Sequence, residues 1–226
     1  MHFGQEPIFQ WLAQYAYEPS MVYMAVFAMM IASGFGFPLP EEVTIISVGI
    51  LTYMGANPQL FPPPFVGAPV VDGYEAAIFV SLAVLIADNL VYWLGRGFGR
   101  KIRKMERFQN FFNGPINEKI NNFIKKYGSY AAFIFRFTPG IRFPAHLFLG
   151  MSKFSPWAFI LIDGLAILIS VPTQILLVYH FGEPILATLY KFKVYVGIGL
   201  LILAMYFLIN KLLKKIRARK LSAKQP

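Results

Sequence analysis

The chain alternates long apolar blocks with short polar segments. Three blocks, at 76–95, 155–180 and 194–212, are each close to the roughly 20 apolar residues that a helix needs to cross a bilayer. Two further blocks, 21–53 and 127–151, are apolar but are interrupted by proline, glycine and charged residues. The pattern predicts an all-α polytopic membrane protein with three spanning helices and two broken helical segments.

The broken segment 127–151 carries two arginines, Arg136 and Arg142, on either side of Pro139 and Gly140. Proline and glycine interrupt a helix, and an interrupted backbone at membrane depth survives only where protein buries it or where it lines a cavity. An arginine keeps its charge in such a place and usually marks a pathway or a binding site. We expect the two arms of this turn to bring both guanidinium groups to one cavity.

The segment 21–53 has a similar arrangement, in which Pro38 and Pro40 directly precede Glu41 and Glu42. Here acidic residues follow the helix-breaking residues, whereas the other broken segment has basic ones. This second turn therefore places carboxylates at membrane depth, where they could neutralise the arginines or carry a proton.

The two broken segments also align with each other. When Pro38 is aligned with Pro139, Glu41 falls opposite Arg142, and a glycine follows each of the two prolines after eleven residues. Repeats of opposite orientation commonly place a transporter's binding site near the bilayer midplane, between broken helices. We therefore expect an inverted repeat with two facing re-entrant helical hairpins.

The charge distribution predicts the orientation. The chain has 21 Lys and Arg residues against 11 acidic ones, yet no Lys or Arg precedes Arg96. Basic clusters lie within 96–126 and in the tail at 213–226, and such clusters mark the cytoplasmic side. With both inside, 127–151 must enter and leave on one face, and 21–53 on the opposite face. The basic clusters favour anionic membrane lipids as partners, and we do not expect nucleic acid binding.

A composition of 57% hydrophobic and 14% charged residues, without cysteine, excludes an ordinary soluble domain, disulfides and thiolate metal sites. We predict a single membrane domain over 1–226. Its parts are an interfacial N-terminal helix at 1–19, re-entrant hairpin 1 at 21–53, a spanning helix at 76–95, a basic cytoplasmic segment at 96–126, re-entrant hairpin 2 at 127–151, spanning helices at 155–180 and 194–212, and a basic cytoplasmic tail at 213–226.

Three sequence elements resemble the DedA family of integral membrane proteins, whose eukaryotic relatives carry the VTT domain. The most specific is Arg-Phe-Thr-Pro-Gly-Ile-Arg at 136–142, which is similar to the family's R-[FY]-x-P-x-x-R element. Phe-Pro-Leu-Pro-Glu-Glu at 37–42 resembles its proline-rich turn followed by an acid. Residues 88–96 resemble a G-D-x-x-x-Y-x-x-G-R stretch, with Ala87 in place of the glycine.

This resemblance implies two facing re-entrant hairpins in a bacterial cytoplasmic (inner) membrane. It also implies a flippase-like role in moving phospholipids or polyprenyl phosphates, notably undecaprenyl phosphate, between leaflets, with proton coupling in some members. Several bacterial members have a second functional aspartate about a dozen residues after the acid, where this chain has Tyr53 and Met54. The resemblance therefore does not extend to this second acid.

The candidate substrate-binding residues are Arg136, Arg142, Glu41, Glu42 and Asp88. The planar guanidinium can donate two parallel hydrogen bonds to a phosphate, and the three acids are candidate counter-ions and proton carriers. Of the two adjacent glutamates, Glu41 is preferred because it aligns with an arginine. A purely structural role, in which acids and arginines only lock the hairpins together, remains the alternative.

Other polar residues in apolar segments are weaker candidates. Asp163 occupies a place comparable to Asp88 in the second spanning helix, and His146 shares a helical face with Arg142. We interpret His146 as a hydrogen-bonded interior residue and Arg96 as an anchor at the cytoplasmic interface. Because the histidines lack acidic partners at ligand spacing, no metal site or cofactor is predicted.

Four classes of function remain in competition. The leading hypothesis is a transporter that returns an anionic lipid carrier to the cytoplasmic leaflet. A non-selective phospholipid scramblase or a proton-coupled exporter of small cations is the second. An enzyme such as a lipid phosphatase would need a positioned nucleophile and a general base, and no such motif occurs, so we do not predict an enzyme. A scaffold without transport activity is the fourth, and homo-oligomerisation is left open.

Overall fold

The computed structural model describes residues 7–35, 37, 41–104, 115–127, 130–138, 142–152 and 154–186. These ranges contain helices and connecting loops but no strand, which confirms the predicted all-α class for this part of the chain. The helices are α1 (Pro7–Tyr15), α2 (Pro19–Gly34), α3 (Glu41–Ala56), α4 (Gly73–Lys104), α5 (Pro115–Tyr127), α6 (Tyr130–Arg136), α7 (Arg142–Met151) and α8 (Pro156–Leu186).

The chain divides into two compact units. His2–Gly182 is one unit and contains α1 to α7 and α8 as far as Gly182. Met1 and Glu183–Pro226 form the other, of which the structure describes only the last turn of α8. The predicted spanning helix at 194–212 and the basic tail at 213–226 lie outside the described residues.

Within the described residues, two helices are long and apolar enough to cross a membrane. They are the 27-residue stretch Gly73–Gly99 of α4 and the 31-residue helix α8. The first begins three residues before the predicted span at 76–95, and its helix continues to Lys104, into the segment predicted as a basic cytoplasmic loop. Helix α5 occupies another part of that segment.

The outward surface of these two helices is strongly apolar. On α4 a set of exposed residues recurs every three or four positions and therefore lies on one helical face; it consists of Ile78, Leu82, Ile86, Leu90 and Trp93. On α8, Leu161 and Leu168 are 71% and 65% exposed. Apolar surfaces of this extent are rare on soluble monomers and fit a lipid environment.

Local capping explains where α4 begins. The Asp72 Oδ1 atom accepts hydrogen bonds from the backbone N–H groups of Tyr74 (2.8 Å) and Glu75 (3.0 Å). This side chain satisfies two of the N–H groups that the first turn of a helix leaves without partners. The preceding loop is held to the N-terminal region, because the Tyr17 hydroxyl donates to the Phe61 carbonyl oxygen at 2.5 Å.

Both interrupted segments are helix–break–helix pairs. Helix α2 ends at Gly34 and packs against α3, which begins at Glu41; α6 ends at Arg136 and packs against α7, which begins at Arg142. The breaks thus fall where the sequence places its helix-breaking residues. The predicted turn residues themselves lie outside the described residues: Pro38, Pro40, Pro139 and Gly140.

Helices α4 and α7 cross at glycines with their backbones in contact. A Cβ atom at Gly95 would overlap the carbonyl oxygen of Leu147, and one at Gly150 would overlap the carbonyl oxygen of Tyr92. Only a residue without a side chain permits this approach. The crossing therefore determines how close the other side chains of α4 and α7 come to each other.

Candidate functional site

The ends of the broken helices converge on one point beside α4. Glu41 is the first residue of α3, Arg136 the last of α6 and Arg142 the first of α7. An acid near a helix N-terminus and a cation near a C-terminus both interact favourably with the helix dipole, which stabilises Glu41 and Arg136. Arg142 lies at a helix N-terminus, where a positive charge interacts unfavourably with the helix dipole. It therefore depends on nearby carboxylates, including that of Asp88 in α4.

Arg136 is buried and donates through three different nitrogen atoms. Its Nη1 donates to Asp88 Oδ2 at 3.0 Å, its Nη2 to Glu41 Oε1 at 3.2 Å and its Nε to Ser170 Oγ at 2.9 Å. The side chain is only 3% exposed. Each partner comes from a different helix, so the planar guanidinium joins α3, α4 and α8 to the end of α6.

Arg142 shares the same two carboxylates. Its Nη1 donates to Glu41 Oε2 and its Nη2 to Asp88 Oδ2. Its Nε is buried and has no hydrogen-bond partner among the described residues. The side chains of Arg142 and Glu41 are 15% and 12% exposed, so this pair is the more accessible side of the charged cluster.

A histidine and a second aspartate extend the cluster away from the arginines. His146 Nδ1 lies 3.3 Å from Asp88 Oδ1, and His146 Nε2 lies 3.8 Å from Asp163 Oδ1. Asp163 Oδ1 is also 4.0 Å from Arg136 Nη1. The side chains of His146 and Asp163 are 1% and 0% exposed, and neither makes a hydrogen bond of regular geometry within the described residues.

This arrangement corrects the sequence argument about histidine. The argument against a metal site assumed that the histidines lack acidic partners, and for His146 that assumption was wrong. One ligand atom from each of Asp88, His146 and Asp163 lies within 4.8 Å of the others. The two acids come from α4 and α8, far from the histidine in sequence, so ligand spacing along the chain could not reveal them.

Two of the other candidates lie apart from the cluster. Glu42 is exposed on α3 and makes no hydrogen bond or ion pair with the charged cluster among the described residues. Arg96 is exposed and donates from Nη1 to the Tyr92 hydroxyl and the Phe154 carbonyl oxygen, both at 3.0 Å. These bonds tie α4 to the loop before α8, in keeping with an anchoring role for Arg96.

One polar contact of the cluster had no signal in the sequence. Ser170 accepts a hydrogen bond from Arg136, yet it is one of several small polar residues in apolar helices. Asp163 and His146 carried a usable signal, because ionisable residues in spanning segments usually face an interior.

Residues 37–183 match the VTT domain family. The chain belongs to this family. The match contains every charged residue of the cluster, from Glu41 to Asp163, and it confirms the resemblance drawn from the three sequence elements. As a VTT domain protein the chain is a member of a family of membrane proteins, in agreement with its two long apolar helices.

Several bacterial proteins are similar to this VTT domain protein. An uncharacterised membrane protein of Haemophilus influenzae is 31% identical over 156 residues, which are 69% of this chain and 68% of the relative. The membrane protein YkoX of Bacillus subtilis is 33% identical over 140 residues, 60% of this chain and 62% of its own. An inner membrane protein of Borreliella burgdorferi is 24% identical over 182 residues, which are 79% of this chain and 77% of the relative. No solved structure matches the chain.

Proposed function

We propose that this VTT domain protein is a transporter that moves an anionic lipid carrier between the leaflets of the bacterial cytoplasmic membrane. The substrate is a polyprenyl phosphate such as undecaprenyl phosphate, or a related phospholipid. The observation that supports this best is that Arg136 and Arg142 share the carboxylates of Glu41 and Asp88 at the ends of two broken helices. Such a cluster offers a phosphate two guanidinium groups that are already oriented.

An inverted repeat of two re-entrant hairpins is the proposed framework for this site. The glycines that follow the two aligned prolines, Gly49 and Gly150, both lie at close helix crossings. Gly150 meets Tyr92 of α4, while a Cβ atom at Gly49 would lie 2.7 Å from the Cβ of Val178 in α8. The second helix of each hairpin, α3 or α7, thus packs on the spanning helix of the other half, which is the crosswise contact expected of two intertwined repeats.

Exchange of one anion for another is the proposed binding step. A lipid phosphate reaches the more exposed pair first, where it accepts hydrogen bonds from Arg142 and displaces the Glu41 carboxylate. Arg136 keeps its contacts with Asp88 and Ser170 and so remains in place. The unused Nε of Arg142 is a further donor for the incoming phosphate.

This exchange avoids the main energetic obstacle to arginine in a membrane. Leaving one member of a buried ion pair without its partner costs about 3–5 kcal/mol, because the remaining charge is uncompensated. In the proposed cycle, each guanidinium always faces either a carboxylate or the phosphate. The lipid tail stays in the bilayer, and only the headgroup visits the cluster.

The proposal predicts that Arg142→Lys lowers lipid transport at least about tenfold, since a single ammonium group cannot serve Glu41, Asp88 and a phosphate with the same geometry. Purified protein in vesicles would be assayed with labelled undecaprenyl phosphate and labelled glycerophospholipids side by side. Arg96→Lys, the same substitution at an exposed arginine outside the cluster, is the control and should transport normally.

Three results of that assay would contradict the proposal. Equal movement of all lipids would indicate a non-selective scramblase, and release of inorganic phosphate would indicate an enzyme. Full activity of Arg142→Lys would show that the phosphate site needs only a positive charge and not the hydrogen-bond geometry of a guanidinium group.

The re-entrant topology predicts which positions label from the same side. Single cysteines introduced at Tyr127 and Ser155, before α6 and after α7, should react with an impermeant thiol reagent from one side of the membrane. A cysteine at Tyr74, at the start of α4, should react from the other side. All three residues are exposed, and the native chain has no cysteine. Labelling of 127 and 155 from opposite sides would show that 127–151 crosses the membrane.

A further inference from the structure

The charged cluster lacks one positive charge. Among the described residues it contains three carboxylates, from Glu41, Asp88 and Asp163, but only the two guanidinium groups of Arg136 and Arg142. With all five ionised and the histidine neutral, the cluster has a net charge of −1. An uncompensated charge in a buried site is strongly unfavourable, so this count calls for one additional cation.

The contacts of His146 require one additional proton. Its two ring nitrogens each face a carboxylate oxygen, Nδ1 that of Asp88 and Nε2 that of Asp163. A neutral imidazole has one N–H and one lone pair, so one of these contacts would place a lone pair against a carboxylate. A proton on the ring or on one of the aspartates removes that repulsion. Charge and geometry thus indicate the same excess of one proton.

We propose that Asp88, His146 and Asp163 form a proton-binding site, which holds one exchangeable proton more tightly when a lipid phosphate occupies the arginines. The inference rests on the proposed function, because the phosphate is the anion that the proton accompanies. The groups that face His146 and its two aspartates are Arg136 at the end of α6 and Arg142 in α7.

Asp88 connects the phosphate site to the proton site. Its Oδ2 accepts hydrogen bonds from Arg136 and Arg142, while its Oδ1 faces His146. When a phosphate takes up part of the donor capacity of the arginines, the negative charge on Asp88 is less compensated. The affinity of the Asp88–His146–Asp163 group for a proton then rises. By linkage, a bound proton must increase the affinity for the phosphate to the same degree.

A proton fits this group better than a metal ion does. The three residues could offer a metal one ligand atom each, within 4.8 Å of one another, but Asp88 already accepts hydrogen bonds from both arginines through its Oδ2. A divalent ion would also change the cluster from −1 to +1, with Arg136 only 4.0 Å from Asp163.

The test measures proton uptake when the purified full-length protein binds farnesyl phosphate in detergent. Calorimetric titrations at one pH, in metal-free buffers of different ionisation enthalpy, give the number of protons taken up per ligand. We expect an uptake that approaches one proton once the pH is high enough to remove the proton from the free protein. In that range the dissociation constant should rise by up to about tenfold per pH unit.

Asp163→Asn is the decisive variant, because it removes the excess negative charge and mimics the protonated state. Above about pH 7.5, where the second ionisation of the phosphate (pKa about 6) is nearly complete, it should bind farnesyl phosphate with little dependence on pH and with no proton uptake. Glu75→Gln, a matched change at an exposed acid of α4, should behave as the native protein does. Undiminished uptake by Asp163→Asn would overturn the proposal.

The native protein provides two further tests that need no variant. Binding of farnesyl phosphate without proton uptake at any pH between about 7 and 8.5, above the second ionisation of the phosphate, would refute the proton site and leave the transporter proposal intact. Failure to bind farnesyl phosphate would remove the basis of both. Heat from Zn²⁺ or Na⁺ binding that depends on Asp163 would assign the site to a metal ion instead.

Discussion

Replacing Arg136 with alanine is expected to abolish lipid transport and to lower the free energy of unfolding by about 3–5 kcal/mol. The side chain is buried and donates to Asp88, Glu41 and Ser170, so its removal leaves the two carboxylates with one guanidinium partner instead of two. Transport would be measured in vesicles, and stability by denaturation of the protein in detergent. Arg136→Lys should also fail, because one ammonium group cannot reach three partners on three helices.

A double variant separates the structural from the functional role of Arg136. In Arg136→Gln the cluster carries one uncompensated negative charge more than the native protein, and adding Asp88→Asn restores the native net charge. The double variant should therefore be more stable than Arg136→Gln alone but should remain inactive. Arg96→Ala, at an exposed arginine, should have a much smaller effect on both measurements. Transport by Arg136→Ala at the native rate would contradict the proposed role.

Substituting Gly150 is expected to disrupt the charged cluster, although Gly150 is not a member of it. A Cβ atom there would overlap the Tyr92 carbonyl oxygen, which is part of the α4 backbone and cannot rotate away. Helices α4 and α7 would have to separate, and Asp88 and His146 lie one turn before this contact on the same two helices. We expect Gly150→Ala to cost about 1–3 kcal/mol, the usual range for overpacking, and Gly150→Leu to abolish transport.

Gly97→Ala provides the matched control for this prediction. Gly97 also lies on α4, but a Cβ atom there would have no neighbour within 4 Å. Alanine is a better helix former than glycine, so this substitution should leave transport unchanged and should raise stability slightly. Wild-type activity and stability in Gly150→Leu would show that the α4–α7 crossing does not control the site.

The positions of the charged residues relative to helix breaks could be predicted from the sequence. Arginine and glutamate beside proline at membrane depth are costly unless they are paired, which is why Arg136, Arg142 and Glu41 were candidates before any geometry was known. The choice between Glu41 and Glu42 also needed the orientation of α3. Adjacent helical residues point about 100° apart, so only one could face the arginines, and packing of α3 selected Glu41.

Sequence patterns could not predict which residues the acids contact. Asp88 accepts hydrogen bonds from both arginines and faces His146, which makes it the centre of the cluster. In the sequence it was only a polar residue within an apolar helix, with local hydrogen bonding as an equally good explanation. Asp163 and His146 were placed lower still, because their relation depends on how α7 packs against α4 and α8.

Local sequence predicts the apolar helices, the places where two helical segments are interrupted and the sign of the charge at each interruption. These properties follow from hydropathy, backbone preference and residue type, which act over a few neighbouring positions. The packing of separate helices was needed to show that one aspartate serves both arginines and that His146 lies between two acids. Distances of 3–4 Å between separate helices depend on close backbone crossings such as the one at Gly95 and Gly150, which no local pattern encodes.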